Sequence, residues 1–126
     1  MEESKKLILI VDDDPDVWLF ITTVLEDHGY RTMEAEDEEQ ALARLGEARP
    51  DLITLDVNMP QRSGVRLYRE LRSSEPYRQI PVIMVTGMAS EFQQFISSRR
   101  QIPAPEGYLA KPVDEGAILG TVQRLL

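Results

Sequence analysis

The chain has 126 residues, of which 42% are hydrophobic, so it suits one compact domain that buries about two thirds of the surface of its unfolded form. Its net charge of −8 and isoelectric point near 4.6 disfavour a direct nucleic-acid or anionic-membrane partner, because either would require a positive face. It contains no cysteine, which excludes disulfides and thiolate metal sites.

Short runs rich in Leu, Ile and Val alternate along the chain with segments long enough to hold a helix. The strong strand candidates are residues 7–11, 52–55 and 82–85, and the weaker ones are residues 30–34 and 107–110. This alternation predicts an α/β fold with a doubly wound parallel sheet.

Apolar residues at helical spacing occupy the gaps between these strands. In the first gap Val17, Ile21, Val24 and Leu25 form an apolar stripe that ends at Gly29. Similar stripes are Ala41, Leu45 and Ala48 in the second gap and Ile118, Val122 and Leu125 after the last strand. Such stripes are typical of helices that pack on a sheet.

The first apolar run, residues 7–11, is too short for the core of a signal peptide or for a membrane span. We therefore expect a soluble, cytoplasmic protein whose residues 1–126 form a single domain.

Polar residues stand at the ends of four predicted strands. They are Asp12-Asp13-Asp14 after the first strand, Asp56 after Leu55, Thr86 after Val85, and Lys111 after Ala110. In a parallel sheet these groups would meet in one cleft at the carboxyl ends of the strands, where open α/β sheets bind their ligands.

The three adjacent aspartates repel one another, since two carboxylates about 4 Å apart cost on the order of 4 kcal/mol at an effective dielectric of about 20. Asp14 precedes Pro15 and is predicted to cap the first helix. Asp12 and Asp13 would then join Asp56 in an all-oxygen cluster that suits Mg²⁺ better than Ca²⁺. Taken without Asp56, the pair is more typical of a solvated acidic loop.

Asp56 is the best candidate for a nucleophile, because carboxylates can form acyl phosphates. Lys111 would place a fixed positive charge on one phosphoryl oxygen, and the Thr86 hydroxyl could donate a hydrogen bond to another. Each residue alone has an ordinary alternative, an exposed lysine or the end of a strand. Their joint placement favours phosphoryl chemistry.

Because of the polar residues at its strand ends, the chain resembles the receiver domain of two-component response regulators over essentially its whole length. The resemblance rests on the acidic pair Asp12 and Asp13, Asp56 in Leu-Asp-Val-Asn-Met-Pro, Gly64, Thr86, and the segment Tyr108 to Pro112. It implies a flavodoxin-like fold with a five-stranded parallel sheet in the order 2-1-3-4-5, five helices and a cis peptide at Lys111-Pro112.

The resemblance also implies the function of the site. Asp56 would accept a phosphoryl group from a phosphohistidine on a sensor histidine kinase or a phosphotransfer protein. Asp13 and Asp56 would bind Mg²⁺ directly, Asp12 through water, and Asn58 through its backbone carbonyl. The chain would be a signalling module rather than an enzyme, catalysing only its own phosphorylation and dephosphorylation.

Thr86 and Tyr108 match the two switch residues of the family. On phosphorylation Thr86 would move inward and Tyr108 would rotate into the vacated space. The output surface would be the fourth helix, fifth strand and fifth helix, read by a downstream effector or a detached output domain. Any homodimer would use the fourth and fifth helices, by analogy only.

Two features depart from the usual family pattern. The stretch between Thr86 and Lys111 is a few residues longer than usual and contains Arg99 and Arg100 in a loop, residues 99–105, whose two prolines disfavour a helix. Phe92, Phe95 and Ile96 precede it at helical spacing and are more typical of the core. We hypothesise a partner-binding patch that uses one of the aromatics Phe92 and Phe95, or Arg99 and Arg100 of the 99–105 loop. Met88 is apolar where some relatives carry a polar group that positions the hydrolytic water, which predicts a long-lived phosphoryl group.

Three alternatives remain at the level of sequence. A phosphatase of the haloacid dehalogenase type would need a second aspartate where Asn58 stands, and the chain has no cap domain. A flavodoxin-like cofactor binder is disfavoured because Asp12, Asp13 and Asp14 would repel its phosphate. The third alternative is a receiver-like module that binds proteins without being phosphorylated.

Overall fold

The computed structural model describes residues 5–56, 63–87 and 105–126, and all structural statements concern these ranges. The five strands are β1 (Leu7–Val11), β2 (Arg31–Ala35), β3 (Leu52–Asp56), β4 (Val82–Thr86) and β5 (Gly107–Ala110). The helices are α1 (Pro15–Asp27), α2 (Glu38–Glu47), α3 (Ser63–Ser73) and α4 (Glu115–Leu125).

The strands form one parallel sheet in the order β2-β1-β3-β4-β5, as predicted. Every residue of β1, β3 and β4 is buried. These strands lie inside the sheet with helices on both faces, which explains why they are continuous apolar runs rather than alternating ones.

The prediction of five helices is confirmed only in part, because the described residues contain four. The predicted fourth helix falls in residues 88–104, which lie outside the described ranges. The predicted fifth helix is α4 of the structure.

The sheet separates two apolar clusters. One cluster contains Leu9 and Ile53 of the sheet with residues of α2 and α3, among them Leu45 and Leu67. The other contains Ile8 and Ile10 with residues of α1 and α4, among them Leu25 and Ile118. Neighbouring residues of one strand enter opposite clusters because side chains alternate across a strand.

Short-range hydrogen bonds fix where the helices begin. The carboxylates of Asp14, Asp37 and Asp114 accept hydrogen bonds from the N–H groups of Asp16, Gln40 and Ala117, respectively, at 3.0, 2.8 and 3.0 Å. Each satisfies one of the free N–H groups at a helix start. The predicted capping role of Asp14 is confirmed.

Within the ranges that the structure describes, none of the helices has the length and apolar composition needed to span a bilayer.

Candidate functional site

The predicted polar residues meet at the carboxyl edge of the sheet. Asp12 directly follows β1, Asp56 and Thr86 are the last residues of β3 and β4, and Lys111 directly follows β5. Parallel pairing aligns these ends, with Asp56 opposite Val85 in the ladder of β3 and β4.

Asp12 is held firmly at this edge and is only 2% exposed. Its Oδ1 atom accepts the N–H of Asp14 at 2.9 Å, while its own N–H donates to the Ala35 carbonyl at 3.0 Å. The backbone therefore aims the Asp12 carboxylate into the site, and Asp14 turns away from it to cap α1.

Lys111 joins two of the carboxylates. Its Nζ atom lies 3.3 Å from Oδ2 of Asp12 and 3.3 Å from Oδ2 of Asp56. Its backbone N–H donates to the Thr86 carbonyl at 2.9 Å, and the peptide bond to Pro112 is cis, as the family resemblance implied. Burial opposes the charge of Lys111, but the neighbouring Asp56 and Asp12 outweigh it and raise the pKa of the amine above 10.5.

Asp13 completes an acidic cluster with Asp12 and Asp56. One carboxylate oxygen from each residue can be chosen so that the three lie within 4.8 Å of one another. Asp12 and Asp56 are buried and Asp13 is exposed, so the cluster opens to solvent on the Asp13 side. Among the residues that the structure describes, three carboxylates and one ammonium form this cluster, which leaves an excess of negative charge.

Burial and the repulsion between carboxylates raise the pKa of two members of this cluster. Burial raises the pKa of Asp12 from 3.8 to about 6; the Asp14 N–H opposes this and the Asp56 carboxylate adds to it. Burial and the Asp56 charge also raise the pKa of Asp13. Both shifts arise first because burial disfavours a charged carboxylate, and the Asp56 charge adds to them.

The two predicted switch residues lie on neighbouring strands. Thr86 is buried and pairs with Ala110, whereas Tyr108 is 48% exposed and pairs with Met84. Thr86 and Met84, two residues apart on β4, face the same side of the sheet, and so do Tyr108 and Ala110 on β5.

Other predicted features lie outside the described residues. These are the Asn58 carbonyl, Met88, and the residues Phe92, Phe95 and 99–104 of the proposed partner-binding patch. Sequence reasoning also missed the burial of Tyr68 and Arg72 beside the exposed Glu106, because an arginine in an amphipathic helix is usually exposed.

The family model described as the response regulator receiver domain matches residues 8–123. The chain belongs to this family. It is similar to protein PilH of Pseudomonas aeruginosa, with 34% identity over 119 residues covering 94% of the chain and 96% of PilH. It is also 35% identical to the phosphate regulon transcriptional regulatory protein PhoB of the same species, covering 96% of the chain and 52% of PhoB.

Solved structures agree with this assignment. The chemotaxis response regulator CheY4 of Vibrio cholerae superimposes with a TM-score of 0.85 at 31% identity, covering 98% of the chain and 100% of CheY4. The receiver domain thus has the flavodoxin-like fold of CheY and is a module of two-component signalling. It spans nearly all of PilH but only about half of PhoB.

Proposed function

We propose that this receiver domain takes a phosphoryl group onto Asp56 in a Mg²⁺-dependent reaction. The observation that carries the proposal is the cluster of Asp12, Asp13 and Asp56 with the Lys111 ammonium 3.3 Å from two of its carboxylates. Within the described part of the chain the site holds three carboxylates and one fixed cation, an arrangement that suits a divalent metal together with an anionic substrate.

The donor set fits Mg²⁺. Carboxylate oxygens are its preferred protein ligands, and Mg²⁺ usually takes only a few of them and completes its octahedron with water and phosphate oxygens. Asp13, Asp56 and the backbone carbonyl of Asn58 would hold the ion directly, and Asp12 would bind it through water. When bound, Mg²⁺ would offset the carboxylate charge and let an anionic donor approach.

In the proposed reaction an oxygen of the Asp56 carboxylate attacks the phosphorus of a phosphohistidine. An O–P bond forms as the P–N bond breaks, and the imidazole leaves with the electron pair and takes up a proton. Hydrolysis of the resulting acyl phosphate would return the Asp56 carboxylate and inorganic phosphate.

Lys111 and Thr86 would hold the transferred group. The ammonium of Lys111 already contacts Asp56 and would pair with a phosphoryl oxygen. The Thr86 hydroxyl would donate to another oxygen from the end of the neighbouring strand. The raised pKa of Lys111 keeps the amine charged at physiological pH.

The phosphorylated state would be read through Thr86 and Tyr108. Movement of the buried Thr86 toward the phosphoryl group would open space for the exposed Tyr108 ring and change the surface around β5 and α4. A sensor histidine kinase or phosphotransfer protein would supply the group, and a protein effector or detached output domain would read the surface.

The test is the intact mass after incubation with acetyl phosphate and Mg²⁺. The expected result is the addition of one phosphoryl group, lost when Mg²⁺ is replaced by EDTA and lost in Asp56→Ala. Asp16→Asn is the matched control, because Asp16 is an exposed aspartate of α1 outside the cluster, and it should be modified as the unaltered chain is.

Equal modification of Asp56→Ala would place the acceptor elsewhere and refute the proposal. No modification of the unaltered chain, together with no Mg²⁺ binding by calorimetry, would favour the alternative of a module that binds partners without phosphorylation.

A further inference from the structure

A second polar cluster lies at the amino end of β4 and β5, away from the acidic site; Arg72 and Tyr68 are buried in it and Glu106 is exposed at its edge. Its centre is Arg72 of α3, whose side chain is only 4% exposed. Burying a guanidinium is costly unless its donors are satisfied, so its partners show what it holds in place.

Arg72 donates four hydrogen bonds. Nε donates to the Tyr68 hydroxyl at 3.1 Å, and Nη1 donates to the carbonyls of Arg78 and Ile80 at 2.8 and 3.0 Å. Nη2 donates to Oε1 of Glu106 at 2.5 Å. The guanidinium also lies 5.0 Å from the centre of the Tyr68 ring, within range of a cation–π interaction.

Glu106 connects Arg72 to the sheet through hydrogen bonds with Val82. Its Oε1 atom also accepts the N–H of Val82 at 2.7 Å, and its own N–H donates to the Val82 carbonyl at 3.0 Å. Val82 begins β4, and Glu106 directly precedes β5. Arg72 therefore attaches the start of β5 to α3.

The orientation of β5 directs Tyr108 toward the same helix. A Cβ atom on Gly107 would lie 2.9 Å from the Thr121 side chain of α4, and Leu109 belongs to the apolar cluster of α1 and α4. Because side chains alternate along a strand, Glu106 and Tyr108 face the opposite side, where α3 lies.

Tyr68 and Tyr108 lie on the same side of the sheet. Tyr108 pairs with Met84, which shares an apolar cluster with the fully buried Tyr68. Burial raises the pKa of the Tyr68 hydroxyl, Arg72 opposes this, and the charges of Glu106 and Tyr108 add to it. The side of the sheet that Tyr108 faces is therefore the side on which Tyr68 is buried.

We propose that Arg72 and Tyr68 of α3 are positioning residues for Tyr108. Arg72 would hold the strand beneath Tyr108 through Glu106, and the Tyr68 hydroxyl, oriented by Arg72, would set where the Tyr108 ring lies. The role of Tyr108 as a switch rests on the proposed function, but its positioning by α3 does not. Changes in α3 would thereby reach the surface that partners read.

The test uses the four tyrosines of the chain as probes. Incorporating 3-fluorotyrosine gives one ¹⁹F resonance per tyrosine, and Tyr108→Phe identifies the resonance of Tyr108. Tyr68→Phe removes a hydroxyl and keeps the ring, and we expect it to shift the Tyr108 resonance by more than its linewidth. Arg72→Gln should do the same.

Glu106 offers a conservative variant that separates positioning from general damage. Glu106→Gln retains an oxygen that can accept from Val82 and Arg72, so the Tyr108 resonance should stay near its original place. Glu106→Ala removes that oxygen and should shift it. Arg66→Gln is the matched control, since Arg66 lies on α3 like Arg72 but its guanidinium pairs with Glu38 of α2, outside the cluster around Arg72.

Unfolding by urea, followed by Trp18 fluorescence, identifies any variant that does not fold. If Arg72→Gln does not fold, the Tyr108 resonance of Tyr68→Phe tests the proposal instead. Unchanged Tyr108 resonances in folded Tyr68→Phe and Glu106→Ala would overturn the proposal.

A separate arm adds Mg²⁺ and beryllium trifluoride, a mimic of a phosphoryl group, to the unaltered chain. If the Tyr108 resonance does not respond to the mimic but still shifts in the variants, positioning by α3 is supported and the proposed switch is refuted.

Discussion

Replacing Asp12 by asparagine should stabilise the metal-free protein at neutral pH. The pKa of Asp12 is about 6 in the folded chain against an ordinary value of 3.8. At 1.36 kcal/mol per pH unit, this difference corresponds to roughly 3 kcal/mol of destabilisation when the group is ionised. Asp12→Asn removes the charge and keeps an oxygen that can accept the Asp14 N–H.

The direction in which the free energy of unfolding changes with pH follows from proton binding. Because the folded state binds the proton more tightly than the unfolded state, the free energy of unfolding should fall as pH rises from about 4 to above 6. Asp12→Asn also loses the contact with Lys111, so we expect a gain of about 1–3 kcal/mol at pH 7.5 that disappears near pH 4. The charge of Asp13 should add to the same trend.

Urea unfolding in EDTA at several pH values, followed by the fluorescence of the single tryptophan, measures this difference. Adding Mg²⁺ at ten times its dissociation constant should recover about 1.4 kcal/mol in the unaltered chain and less in Asp12→Asn. Asp16→Asn is the control and should change stability by less than about 0.5 kcal/mol. A stability gain that does not vary with pH, or a loss at pH 7.5, would refute the reasoning.

Three further predictions concern the site and its supports. Lys111→Met should move the pH-dependent loss of stability to higher pH, because Asp12 loses the cation that lowers its pKa. The free energy of unfolding, measured in urea at several pH values, tests this, and an unchanged midpoint of its fall with pH would contradict it. Gly107→Ala should cost about 1–3 kcal/mol through contact with the Thr121 methyl group, and Thr121→Ser in the same chain should recover part of the loss in urea unfolding. Asp114→Ala should cost about 0.5–2 kcal/mol by removing the cap of α4, whereas equal losses in Asp114→Asn would argue against a capping role.

Much of the site could be predicted from positions along the chain. Asp12, Asp56, Thr86 and Lys111 each stand where an apolar run ends, and in a parallel sheet those ends share one edge. The strand order and the cis peptide at Lys111 came from the family resemblance and are confirmed. The roles of these residues in phosphorylation stay predictions.

The burial of Asp12 and its raised pKa could not be predicted in the same way. Whether Asp12 is a solvated loop residue or a buried carboxylate depends on the Ala35 carbonyl and the Lys111 ammonium, which reach it from β2 and from the residue after β5. Its pKa of about 6 is a property of that assembly.

The sequence by itself determined the strands, the stripes of α1, α2 and α4, and the residues at the strand ends, because these depend on periodicity and on neighbours along the chain. Only the tertiary structure decided that Arg72 is buried and that it connects α3 to Glu106, 34 residues away. Nothing near Arg72 in the sequence distinguishes it from an exposed helical arginine. Its burial is possible because carbonyls, a phenol and a carboxylate from separate segments satisfy its donors, and folding alone brings those groups together.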